Sequence, residues 1–162
     1  MIIGFGRKTN NMKEGIMLTR KITLRYPMGK YAICYTDTFR TFAIVLMKGG
    51  FFGIDKKEKI LFEVYPFDNG PDPVEGGLFR IRQNDLIGFA NIEGKIVIRP
   101  RFNAVLTFRN NLAPFCEGCT LKGDGEHKSW VGGKWGAIDK RGNVVIEPAY
   151  DLPTALKQIA NH

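Results

Sequence analysis

The chain has 162 residues with a formal net charge of +8, and 44% of its residues are apolar against 25% charged. That length suits one compact domain or two small lobes that bury roughly two-thirds of the unfolded surface without disulfide help. The longest apolar run, Phe42 to Met47, is far short of the ~20 residues a spanning helix needs, so no helical membrane span is expected. The 19 Gly and 8 Pro predict many turns and an all-β fold.

Residues 1–20 show no clear period and are expected to be weakly structured. They contain no basic stretch leading into an apolar one, so the chain as it stands reads as cytoplasmic, and as exported if its true start lies upstream with a signal. Nine of the 24 basic residues, against two of the 16 acidic ones, fall in residues 1–50, leaving fifteen to face fourteen in the rest. A polyanion-binding face would therefore lie in the first third.

Residues 21–50 read as a β-hairpin. Tyr31, Ile33 and Tyr35 alternate with Ala32 and Cys34, and Phe42, Ile44 and Leu46 with Ala43 and Val45, across a loop near Asp37 to Arg40. This hairpin has the character of a degenerate capping repeat.

From Phe51 to Asp151 the sequence echoes itself. Ile138-Asp139-Lys140 aligns with Ala90-Asn91-Ile92 and Ile54-Asp55-Lys56; Gly142 aligns with Gly94, and Pro148 with Pro100. Val144-Val145-Ile146 matches Ile96-Val97-Ile98 and Ile60-Leu61-Phe62. Upstream, Leu78 matches Leu112 and Ile81 matches Phe115, which gives units of about 51–72, 75–103 and 109–151, the last with an insertion at 117–131. Each unit reads as strand, turn, strand, turn, strand. The β-branched runs favour a pleated surface, and alternation pairs Ile96 with Ile98 and Val144 with Ile146 on one face. Gly94 and Gly142 fit a turn that needs a positive φ, while Pro100 and Pro148 are expected to end their strands. A unit this short cannot bury its own apolar face, so successive copies must cover one another. The array is expected to be a twisted meander or a partly closed barrel-like or propeller-like arrangement. Residues 152–162 follow as a tail or a short helix from about Thr154, with Pro153 and Thr154 as start signals.

Trp135-Gly136-Ala137-Ile138-Asp139-Lys140, with Gly142, Val144 to Ile146 and Pro148, resembles the bacterial WG-repeat (KWG) family, and Phe108 to Phe115 is similar to its aromatic-x-x-Gly-Leu-Ala segment with Asn111 in the glycine place. The second copy has Ile87-Gly88 and the first Phe51-Phe52 in place of Trp-Gly, and Glu58 replaces the turn glycine. The resemblance implies tandem β-hairpins and a binding or scaffolding role, and brings no common catalytic site.

Candidate chemistry is sparse. Cys116 and Cys119 form a C-x-x-C with His127 eight residues on. As a zinc site it would need Cys34 or His162 to reach four ligands, and as a redox pair it would want a helix N-terminus. The odd count of three cysteines suits a reducing compartment better than a disulfide framework, and a structural role is favoured. His127 and His162 are the only histidines, and no nucleophile elbow or zinc-protease motif accompanies them. No glycine cluster has the strand-to-helix setting and Lys-Ser/Thr of a phosphate loop. Arg80 and Arg82, expected on the face opposite Phe79 and Ile81, join Arg99, Arg101 and Trp130 as a possible interaction surface; Trp135 is assigned to the core by its phase in the repeat. The leading expectation is a non-enzymatic interaction or scaffolding module with a protein partner, no cofactor and no catalytic residue. The alternatives are nucleic-acid or anionic-surface binding through the basic first third, and a metal or redox protein using Cys116 and Cys119.

Overall fold

The computed structural model describes residues 14–18, 23–27, 31–36, 41–124 and 128–162. These are mostly antiparallel β-strand with one short helix, and the chain divides into two compact units, residues 1–71 and 72–162. No sheet closes into a barrel among the described residues, so the open meander is the arrangement adopted. No helix among them is long and apolar enough to cross a membrane.

In the first unit, β1 (Glu14–Leu18) pairs with β2 (Thr23–Pro27). Most of residues 1–20, expected to be weakly structured, lie outside the described residues. The meander β3 (Ile33–Cys34), β4 (Phe42–Met47), β5 (Gly50–Asp55) and β6 (Ile60–Val64) follows, then a two-residue ribbon of β7 (Pro66–Phe67) and β8 (Gly70–Pro71). The sequence boundary between residues 50 and 51 falls inside β5, one residue past the tight turn that joins it to β4. There Met47 pairs with Gly50, and Gly49 takes a φ of 105°. The first repeat therefore begins at Phe42, whose strand has the place that Leu78 opens in the second copy.

The second unit holds two copies. β9 (Leu78–Gln83), β10 (Leu86–Asn91) and β11 (Ile96–Phe102) form one. The other is the sheet β12 (Ala104–Val105), β13 (Ala113–Lys122), β14 (Ser129–Ile138) and β15 (Val144–Tyr150), in that order. The segment 117–131 lengthens the β13–β14 hairpin at unchanged register.

Three turns show why the copies fold alike. The side-chain oxygens of Asp55, Asn91 and Asp139 each accept from the backbone N–H groups two and four residues on, at 2.8–3.1 Å. Each residue also donates its backbone N–H to the carbonyl four residues ahead, and its own carbonyl accepts from the N–H three ahead. This local closure demands a positive φ at the fourth turn position: Gly94 at 80°, Gly142 at 87°, and Glu58 at 61° against the usual preference for glycine. The first copy thus uses the same turn although its glycine is missing.

The prolines act differently from expectation. β11 and β15 run through Pro100 and Pro148, with the register shifting between Ile87 and Phe89 and between Trp135 and Ala137. Each proline sits in a bulge, where a missing N–H costs no ladder bond. The bulge crosses a glycine of the neighbouring strand so closely that a Cβ would lie 2.4 Å from the Ile98 carbonyl oxygen at Gly88 and 2.3 Å from that of Ile146 at Gly136. The glycine of the Trp-Gly signature is there to admit the opposing backbone.

Helix α1 (Leu152–Ala160) starts two residues earlier than expected. Asp151 caps it by accepting from the Thr154 N–H at 2.8 Å, and Pro153 occupies the first turn, where it costs no hydrogen bond. Ala155 and Ile159 are its buried face.

Candidate functional site

The junction between the two copies of the second unit is built from the turn at Gly142 and strand β11. Bare of a side chain, Gly142 lets Ile98 close on it: a Cβ there would stand 3.2 Å from Ile98 Cγ2. The Arg101 guanidinium donates to the Gly142 carbonyl and lies 4.8 Å over the Phe102 ring. Ile96-Val97 and Val144-Val145 hold equivalent positions at the start of β11 and β15, and all four side chains are exposed, at 39–45%. Alternation sets Ile96 on the face of buried Ile98, yet Ile96, paired with Ala90 in the ladder, is exposed. Arg99, Arg101 and Arg141, close to these residues in sequence, are exposed as well.

The arginines expected to share one surface separate. Arg80 is 6% exposed: its Nε and backbone N–H donate to Asp72 at 3.0 and 2.7 Å, its Nη2 pairs with the same carboxylate, and Nη1 donates to the Val105 carbonyl at 3.3 Å. Both faces of β9 are covered, so alternation does not bring Arg80 to solvent. A cation placed there is held only because Asp72 is buried with it. Arg82 is half-buried.

Asp72 fills a position the repeat uses twice. Its carboxylate accepts the N–H of the residue eight ahead, as the Thr36 hydroxyl accepts from Ile44 at 2.8 Å. In the third copy the same place is Pro114, which has no N–H, and its carbonyl accepts from Leu106 instead. Sequence reasoning missed Asp72; the eight-residue offset from Thr36 to Ile44 was the available signal.

Cys116 and Cys119 are joined as a disulfide with a Cα–Cα distance of 5.8 Å. An odd count therefore still leaves room for one bridge, and half-buried Cys34 stands outside it. Sulfurs bonded to each other are not thiolate ligands, and no group of three or more His, Cys, Asp or Glu is placed to hold a metal among the described residues. His127 lies outside the described residues. Trp130, half-buried, packs against a buried cluster of Ala104, Cys116, Cys119, Trp135 and Ala155; Trp135 is in the core, as its repeat phase predicts.

A shallow cavity of about 510 Å³ lies among two equivalent turns and the end of α1, with Phe108 and Ile159 as its floor and Glu75, Arg109, Asn110 and Asn111 at its rim. Asn110 and Asn111 both take a positive φ, at 48° and 65°, in a turn closed by reciprocal bonds between Arg109 and Leu112. Their backbone takes the positive φ that Gly76 and Gly77 take in the preceding copy, at 61° and 85°.

Residues 87–118 and 135–152 match the family of WG containing repeats. No curated protein and no solved structure matches the chain.

Proposed function

We propose that this WG-repeat protein is a non-enzymatic interaction module that takes a protein segment on the strip formed by Ile96, Val97, Val144 and Val145. The observation that carries the reading is the recurrence of an exposed aliphatic pair at the same position in successive repeats of one unit. Single exposed apolar residues need no explanation, but an exposed aliphatic pair that recurs in successive copies supports a binding role. Strand addition is disfavoured on β11 and β15, because Pro100 and Pro148 and their bulges blunt those edges. Recognition then runs through side chains. The exposed Arg99 and Arg141, near these pairs in sequence, complement a partner segment that mixes aliphatic and acidic residues. Buried polar chemistry supports a scaffold: the Asp72 carboxylate and the Arg80 guanidinium hold each other.

The test is selection of a displayed peptide library on the full chain, followed by binding of the winners to the double variant Val97→Lys, Val145→Lys. Both positions are exposed, so the fold should tolerate the change. Enriched peptides should carry aliphatic and acidic residues and bind the variant at least about ten-fold more weakly, the loss expected when a central apolar contact is replaced by a charge. Peptides that bind both proteins equally would dispose of the strip as the site.

A further inference from the structure

We infer that Cys116 and Cys119 form a redox-set bend in the β13–β14 hairpin, closed by the disulfide and released by a dithiol reductant. In a regular strand, residues three apart lie about 10 Å from each other and point to opposite faces. Here the two Cα atoms are 5.8 Å apart, inside the narrow span a disulfide can bridge. The strand is therefore folded back on itself between them. Gly118 supplies the fold with a φ of 73°, and on the partner strand Gly132 and Gly133 take 73° and 64°.

Gly133 is shaped to the bridge. A Cβ there would stand 2.6 Å from Cys116 Sγ, 2.4 Å from the Glu117 carbonyl oxygen and 2.5 Å from the Cys119 nitrogen. The ladder keeps one register on both sides of the bend: Glu117 pairs with Lys134 and Cys119 with Gly132, and only the pair between them, Gly118 with Gly133, is missing. That makes the element two-state. With the sulfurs bonded the bend is locked; with them parted the hairpin beyond Glu117 is free to straighten without any strand changing its partner.

The reaction balances as thiol–disulfide exchange. The Cys116–Cys119 bond breaks, its sulfurs take up two electrons and two protons, and the reducing dithiol leaves as its own disulfide. What moves is the arm of Cys119–Lys122 and Ser129–Gly132, which carries Leu121, 46% exposed, and Trp130, packed on the cluster that contains both cysteines. Straightening withdraws Trp130 from that cluster. The inference does not depend on the aliphatic strip, which lies at the other end of β14 and β15.

The experiment uses the full chain with Cys34→Ser, so that only one pair of sulfurs reports. Alkylation followed by mass measurement counts thiols before and after treatment with excess dithiothreitol, and hydrogen exchange is compared in the two forms. The expected result is no accessible thiol before reduction and two after it. Amides of the arm should exchange at least about ten-fold faster in the reduced form while those of β9 and β10 hold steady, because loss of a local constraint opens a local unit. Reoxidation should restore the slow exchange. Three results would overturn the inference: two thiols already present in protein made under oxidising conditions, exchange unchanged after reduction, or exchange raised throughout residues 72–162.

Discussion

The second and third repeats share their turn, their bulge and their close-packed glycine, yet they are finished in different ways. In the second, the buried side of β11 is covered by the copy that follows: Ile98 lies against Gly142, and Arg101 ties to the carbonyl of that residue. In the third, the position of Arg101 is Ala149, which has no arm to extend. Ile146, in the place of Ile98, packs instead with Leu112, Ala137 and Ile159 of α1. Phe102 is buried against Phe115 at a centroid distance of 5.5 Å, whereas Tyr150 is 36% exposed. Each of these two copies thus has a cover over its last strand, and a different element provides it. An amphipathic helix serves where a further turn would otherwise sit, in the manner of terminal caps on repeat arrays.

The features common to both copies should fail equally, and those that differ should fail locally. The largest effect is expected for Gly88→Ala and Gly136→Ala. At each the new methyl meets backbone, at 2.4 and 2.3 Å, and no rotamer change removes the conflict. Each should cost about 3 kcal/mol, the upper range for overpacking, read as a lower urea midpoint. A loss at one glycine only would break the equivalence of the two repeats. Next comes Ile159→Ala, which uncovers Ile146 and should cost about 2 kcal/mol, the low end for a buried aliphatic truncation because a surface helix can partly settle into the gap. Its signature is positional: exchange should rise in β14 and β15 and stay unchanged in β9 and β10. A uniform rise would mean that the helix supports both copies.

Much of this fold was legible because the sequence states it more than once. The recurrence of Asp55, Asn91 and Asp139 ahead of paired aliphatic residues located the turns, and even Glu58 in a glycine position did not disturb the phase, since the side-chain oxygen three residues before it fixes the same closure. Alternation failed where a strand is covered on both faces. Arg80 looked solvent-facing because nothing in its own strand announces Asp72. The prolines misled for a related reason: an X-Pro step reads locally as a strand end, and only the partner strand shows that the ladder resumes beyond a bulge. The C-x-x-C was visible, but its spacing fits a metal, a redox pair and a kinked strand alike. What separates them is the row of glycines opposite, which acquires meaning once Gly133 is seen against Cys116.

The smallest effect separates the repeats at their shared turn, where the second uses Asn91 and the third Asp139. Burial opposes ionisation of Asp139, but the Asn143 side chain, at 3.0 Å, and the N–H groups of Asn143, Arg141 and Gly142 hold its carboxyl below the ordinary value of 3.8. A depressed folded value means that the charged form is favoured by folding. The associated stability is present above the unfolded value and is lost as pH falls through the folded one. Asn91 makes the same backbone contacts, at 3.1 and 3.0 Å, with no charge to titrate. Asp139→Asn should therefore lower the urea midpoint slightly at neutral pH, and the difference from the parent should shrink as the solution is acidified past 3.8. Asn91→Asp should not do the reverse, because it gives up the Asn91 Nδ2 bond to the Glu93 carboxylate at 3.5 Å and sets a second negative charge beside it. If the Asp139→Asn deficit persisted unchanged in acid, the turn would be responding to shape alone, and the charge would have no part in what distinguishes the two copies.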